Sequence, residues 1–203
     1  MPSEDPGSIA RPASTDDLTG VVETISLAFH DDPTWSWAFP DSVSRPEQFL
    51  VFWRFMVAAA LRYRWVLVAD ACEAAAIWIP PNGTEIAAED EPKLGPILTE
   101  LVGERADEVM ELLARFDAAH PRHEPHYYLS LLGTHPDHTG RGIGMALLAE
   151  SLARIDRERM PAYLESSNPA NNHRYQRHGF HAIGEFYPPG GPTPVTTMWR
   201  ERR

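Results

Sequence analysis

Apolar residues recur along the chain in two rhythms. Leu18, Val21, Val22, Ile25, Leu27 and Ala28 follow a cap at Thr15-Asp16-Asp17 and predict a helix to about Phe29. Phe49, Phe52, Trp53 and Met56 keep the same spacing within a second helix over 45–62. Leu94, Ile97, Leu98, Leu101, Val109, Leu112, Leu113 and Phe116 mark one or two amphipathic helices over 91–119, with a break at Gly103. Ile143, Leu147, Leu148, Leu152 and Ile155 carry a helix to about Arg159. Between these segments lie short apolar runs bounded by turn residues, as strands require. They are Ile9 to Ala13, the pair WVLVAD and AAAIWIP, the strongly apolar HYYLSLLGT, then AYLESS, and the closing pair HAIGEFY and PVTTMWR. HDDPTWSWAFPD is aromatic and broken by Pro33 and Pro40, PPNGTE reads as a loop, and NPANNHRYQRHGF holds a short helix. The order β-α-α-β-β-α-β-α-β-α-β-β is that of an α/β protein, a mixed sheet with helices on its faces. A single domain over 9–203 is expected, preceded by a loose N-terminus over 1–8.

Composition narrows the function classes. The net charge of −11 argues against nucleic-acid binding, which needs a basic patch to neutralise phosphates. It leans toward a cationic or amine partner, although solubility alone also accounts for it. The lone cysteine, Cys72, has no catalytic motif around it and reads as a buried apolar thiol. With no disulfide possible within the chain, no apolar signal core and no membrane-length apolar run, a cytoplasmic protein without membrane attachment is expected, as a monomer or homodimer.

The stretch HPDHTGRGIGMALL, residues 135–148, sits between the strongest strand and a helix. Gly140, Gly142 and Gly144 alternate just where helix amides lack internal partners and carry partial positive charge. Such a turn lets an anion approach the backbone, and Arg141 adds a cation. A tight turn that binds nothing is the plain alternative. A P-loop would need Lys and Ser/Thr after the last glycine, where Met145 and Ala146 stand. A dinucleotide turn of the dehydrogenase TGxxxGxG kind looks closer, since Thr139-Gly140 precedes Gly142-Ile143-Gly144, but it fails on three counts. Its spacing is too short, too little chain follows it, and no Tyr-x-x-x-Lys lies downstream.

The stretch resembles the Gln/Arg-x-x-Gly-x-Gly/Ala motif of the GNAT acetyltransferases, with Thr139, Gly142 and Gly144 at the motif positions and LLGTHPDH as the lead-in. The run YLESSNPANNHRYQRHGF is similar to the matching segment of puromycin-type N-acetyltransferases. Within it, Asn168 can cap the helix that Pro169 opens, and Gly179 can end it in the left-handed conformation. The likeness is strong over 126–180, is only one of element order over 9–80, and is absent over 81–125.

The resemblance implies a GNAT fold, with a mostly antiparallel sheet of about six or seven strands split at its centre. It implies direct transfer of the acetyl group of acetyl-CoA to an amine in a ternary complex. The amides around Gly140, Arg141, Gly142, Ile143, Gly144 and Met145 would hold the pyrophosphate, with Thr139 at the family's side-chain position. Leu132, Gly133 and Thr134 would offer backbone contacts to the pantetheine and the oxyanion, and Asn168 and Asn171 would contact the coenzyme. Tyr175 would protonate the leaving sulfur. The general base is open between Glu165, which also reads as a structural hydrogen-bonder, and His126 acting through a water. His30, Asp31 and Asp32 fall where acceptor-binding residues are expected, and Trp35, Trp37 and Phe39 could line an aromatic acceptor pocket or simply pack the core. His120, His123 and His126 are three apart, but Pro121 and Pro125 break any helix between them and no zinc set is completed, so no metal is expected. The acceptor is expected to be a small-molecule amine. A protein α-amine or lysine, a CoA-binding module without turnover and a nicotinamide binder are the alternatives.

Overall fold

The protein is described by a computed structural model over residues 9–203; the expected loose segment 1–8 lies outside the described residues. β1 is only Arg11–Pro12, much shorter than the sequence suggests. The first cap comes one residue earlier than expected. Ser14 and Asp17 form a reciprocal capping box around a 3-10 turn, and α1 (Leu18–Ala28) follows. α2 (Pro33–Ala38) forms where the proline-broken aromatic segment was expected. Asp32 accepts from the Thr34 and Trp35 amides at 3.0 and 3.2 Å, so the Asp-Pro pair starts a helix instead of breaking one. α3 (Arg45–Ala60) comes next. The buried Arg45 guanidinium donates to the carbonyls of Phe39 at 2.6 Å and of His30 and Pro40 at 3.0 Å, tying the α1–α2–α3 corner together.

β2 (Val66–Val68) and β3 (Ala74–Ile79) pair antiparallel, then α4 (Glu91–Val102) stops at Gly103, where φ is +58°, and α5 (Ala106–Ala119) resumes. β4 (Tyr127–Thr134), α6 (Ile143–Arg157), β5 (Ala162–Ser166), α7 (Asn172–Arg177), β6 (His181–Phe186) and β7 (Val195–Arg200) complete the chain. The strands order as β1-β2-β3-β4-β5-β7-β6, and every neighbouring pair is antiparallel except β4–β5. This is the mixed, mostly antiparallel sheet of the expected α/β class. Helices cover both faces. Ala75, Ile77 and Ile79 of β3 join a core with α1 to α5, while Ala74, Ala76 and Trp78 join one with Leu147, Leu148, Leu152 and Ile155 of α6. Among the described residues no helix is long and apolar enough to cross a membrane.

The sheet splits at its centre. β4 and β5 pair only where Tyr127, Tyr128 and Leu129 meet Ala162, Tyr163 and Leu164. Beyond that, Glu165 and Ser166 pair with Thr197 and Thr196 of β7 alone, while β4 runs on to Thr134 along β3. The break coincides with a bulge. Ile77 of β3 faces Leu131 and the next residue, Trp78, faces Leu129, so Ser130 is the extra residue of β4.

Candidate active site

The split opens into a cavity of about 740 Å³. Phe29, Trp35, Trp53 and Phe116 form an apolar wall, and Glu85, His120, Tyr128 and Glu165 supply polar groups. Glu165 is the first β5 residue past the last β4 pair, and its side chain is only 2% exposed. Neither of its carboxylate oxygens completes a hydrogen bond. Burial pushes its carboxyl up to about 8; the nearby Tyr128 and Tyr163 hydroxyls pull the other way, and the Glu85 charge adds to the rise.

His120, read from the sequence only as a metal prospect, stands against this carboxylate, with Nδ1 3.9 Å from Glu165 Oε1. Its Nε2 lies 3.0 Å from His126 Nε2, and His126 Nδ1 lies 2.8 Å from the Glu124 carbonyl. Burial first, then the neighbouring His126, drops His120 to about 4. His126 sits one residue ahead of β4, and both of its ring nitrogens are engaged within the protein. Its route to Glu165 therefore runs through His120. His123 turns away and packs beside Trp199.

Asn168, Asn171 and Tyr175 border the same cavity. Asn168 accepts from the Ala170 amide at 3.1 Å, and Pro169 opens the 3-10 turn as expected. Gly179 ends the α7 segment with φ at +91°. The Tyr175 ring packs edge-on to Phe180, and its hydroxyl is raised to about 12, by burial and then by the Asp32 charge. Asp32 is itself buried and accepts from Ser167 Oγ at 2.7 Å, so it joins the start of α2 to the end of β5. Asp31 borders the cavity from an exposed position, and His30 lies 3.8 Å from it.

The glycine turn lies outside the cavity. Gly140 and Gly142 have φ of +78° and +76°, and a Cβ on either would meet no protein atom within 4 Å. Gly142 caps α6 without any side-chain acceptor. The amides of Ile143, Gly144 and Met145 therefore open the helix with no cap, a geometry that fits an anionic phosphate. Gly144 serves a different purpose from its neighbours, because a Cβ there would collide with Thr134 Oγ1. Gly133 is likewise a packing glycine; a Cβ would lie 2.9 Å from Ile25 Cδ1 and 3.0 Å from Ala28 Cβ of α1. Leu132, next to it, borders the cavity. Two exposed side chains of the turn bond within the protein. Thr139 Oγ1 donates to the Pro136 carbonyl at 2.8 Å, and Arg141 Nη1 lies 2.7 Å from His138 Nδ1 and 3.8 Å from Glu73 Oε1.

Of the three aromatics weighed for the acceptor pocket, only Trp35 borders it. Phe39 is fully buried, and Trp37 packs under the Arg105 guanidinium. Cys72 is buried, and desolvation raises its thiol. Glu85 has no counterpart in the sequence reading. It lies in the PPNGTE loop, a partly buried carboxylate that accepts from Ser130 Oγ, and nothing in its local pattern distinguishes it from a solvated loop acid.

Residues 101–182 match the acetyltransferase (GNAT) domain family. The match opens within α4 and takes in β4, the glycine turn, β5 and α7. Three solved structures share the fold across nearly the whole chain. One, described as histone acetyltransferase HPA2 and related acetyltransferase from Corynebacterium glutamicum, has a TM-score of 0.66 at 22% identity, with 96% of each chain covered. Arylalkylamine N-acetyltransferase 2 from Aedes aegypti has a TM-score of 0.63 at 12% identity, covering 96% of this chain and 98% of its own. An agmatine N-acetyltransferase has a TM-score of 0.61 at 14% identity, covering 95% and 98%. The fold is that of the GNAT N-acetyltransferases, and GNAT enzymes take their acetyl group from acetyl-CoA. The domain match and the architecture agree on an acetyl-CoA-dependent acetyltransferase.

Proposed function

We propose that the protein transfers the acetyl group of acetyl-CoA to the amine of a small molecule, directly and within a ternary complex. The observation that carries this reading is Glu165, a buried carboxyl at the mouth of the β4–β5 split with no cationic Lys or Arg partner among the described residues. An acid that holds its proton up to about 8 is matched to accepting one from an alkylammonium. The amine, once neutral, attacks the thioester carbonyl. Backbone amides of β4 past the bulge, near Leu132, suit the developing oxyanion. The tetrahedral adduct then expels the thiolate, the Tyr175 hydroxyl supplies its proton, and the second proton of the adduct nitrogen returns to the Tyr175 oxygen as the amide forms. Burial holds that hydroxyl protonated until the thiolate forms. The products are the N-acetylated amine and CoA. The uncapped amides after Gly142 would take the pyrophosphate, and Asn168 and Asn171 would guide the pantetheine arm.

The concave apolar wall of Phe29, Trp35, Trp53 and Phe116 favours a small acceptor over a protein chain. Two fold neighbours named for small amines support the same class. The segment 163–180 supports kinship with the puromycin-type enzymes, while the acceptor wall is built from other parts of the chain, so the likeness does not extend to the acceptor. The single buried cysteine supports a reducing, cytoplasmic setting. Titration calorimetry with acetyl-CoA, with NADH and ATP alongside, tests the cradle, and thiol release over an amine panel tests turnover. Binding of acetyl-CoA alone with amine-dependent thiol release is the expected result. Binding without release from any amine would leave a CoA-binding module.

A further inference from the structure

Beside Asp32, whose oxygens accept from Ser167 and from the Thr34 and Trp35 amides, two more acids line the cavity, the buried Glu165 and the partly buried Glu85, and the proposed chemistry uses only Glu165. Glu165 comes from β5, and Glu85 from the loop between β3 and α4. That loop is pinned beside Glu85. The Thr84 amide donates to Tyr63 Oη at 2.9 Å, and Arg62 donates to the Glu85 carbonyl at 3.3 Å. Glu85 accepts from Ser130 Oγ, the bulge residue of β4, where the strands part. The inward aim of Glu85 is thus built by two elements. Tyr128 feels both carboxylates, and the charge of Glu85 reaches Glu165.

Among the described residues no lysine or arginine pairs with the carboxylate of Glu165 or Glu85, Arg62 reaching only the Glu85 backbone carbonyl. Arg122, the cation on the cavity rim, is 67% exposed and pairs with Asp117 at 2.6 Å. His120 and His126 are bound to each other. Carboxylates held away from water without a counter-charge are costly, and around Glu165 only the Tyr128 and Tyr163 hydroxyls and the His120 ring offset that cost. A cationic ligand removes that cost. One ammonium cannot serve both groups through the reaction, because the attacking amine must become neutral beside Glu165. Glu85 then still needs a cation.

We propose that the acceptor is a diamine-type dication, whose one amine reacts beside Glu165 while Glu85 holds a second, unreactive ammonium or guanidinium group. This rests on the acetyltransferase reading above. The site selects by charge, and the apolar wall receives the carbon chain between the two cations.

The test compares diaminoalkanes with alkylmonoamines of the same chain length, by thiol release and with saturating acetyl-CoA. The diamine is expected to show a kcat/KM higher by at least about tenfold, carried by KM. Glu85→Gln is expected to shrink that preference by a similar factor, whereas Ser130→Ala, which keeps the charge, retains it. Equal kcat/KM for the two amine classes overturns the proposal and leaves the acetyltransferase reading standing. So does a Glu85→Gln variant that slows both classes by one common factor, since that is a structural effect. Thiol release from neither class overturns the proposal, and the wider amine panel then decides the acetyltransferase reading. Melting curves of the two variants identify a misfolded protein, and Ser130→Ala with the wild-type comparison then decides.

Discussion

The imidazoles of His120 and His126 meet Nε2 to Nε2 at 3.0 Å. A single proton lies on that line, so the two rings cannot both be charged. His126 Nδ1 donates to the Glu124 carbonyl, which leaves its Nε2 to accept from His120. The free lone pair of His120 then sits on Nδ1, facing Glu165. Because folding lowers His120 from 6.5 to about 4, its contribution to stability is present above 6.5 and is lost as pH falls through 4. His120→Asn is expected to lessen acid destabilisation in that window, read as melting temperature against pH beside the wild type. An NMR titration that finds His120 protonating near its ordinary value would contradict this geometry.

Glu165 works with the opposite sign. Its folded value is raised from 4.5 to about 8, so its contribution is full below 4.5 and is lost as pH rises through 8. Glu165→Gln is expected to raise the melting temperature above pH 8 by roughly 3 °C or more, while lowering kcat by about a hundredfold. The ascending limb of the pH–rate profile near 8 should go with it. A variant that keeps the limb would move the base elsewhere.

Tyr175→Phe removes a hydroxyl and keeps the ring packed on Phe180. Turnover is expected to fall by about a hundredfold, with acetyl-CoA affinity and melting temperature close to wild type. Calorimetry and thiol release together check this. Unchanged turnover would make Tyr175 a packing residue alone.

The glycines of the turn should separate by variant. Gly144→Ala drives a methyl group into Thr134 Oγ1 and is expected to cost about 1–3 kcal/mol of stability. Thr134→Ala should restore most of it, because the Thr134 Cβ lies 3.8 Å from that methyl. Gly142→Ala meets no protein atom, but it holds a left-handed φ of +76°. It should cost only about 1 kcal/mol in folding while weakening acetyl-CoA binding by about tenfold. Equal loss of stability at both positions would refute this division of labour.

Much of the architecture was legible in local patterns. Helical spacing marked α1, α3, α6 and the pair around Gly103, and bounded apolar runs marked the strands, because burial of one face imposes a period on the residues beneath it. The Gly140-Arg141-Gly142 turn, the Asn168-Pro169 start and the Gly179 stop were legible for the same kind of reason, since each answers a local backbone requirement. α2 was missed because Asp32 and Pro33 serve equally as a breaker or as a cap and first turn, and only the helix that follows distinguishes the two.

The chain's own order of residues thus determined most of the elements, α2 and the length of β1 apart, and the glycine turn at Gly142. What it could not determine was which side chains meet. Glu85, His120 and Glu165 come from three separate elements, and burial raises or lowers their proton affinities only when distant segments close over them. The same holds for Gly144, whose need for a bare Cα is set by Thr134 on another element. The β4–β5 split was expected from family likeness, but its position at Leu129 and Leu164, and the bulge that aims Ser130 at Glu85, are properties of strand register. Register is decided by the pairing of whole strands, so it belongs to the tertiary structure.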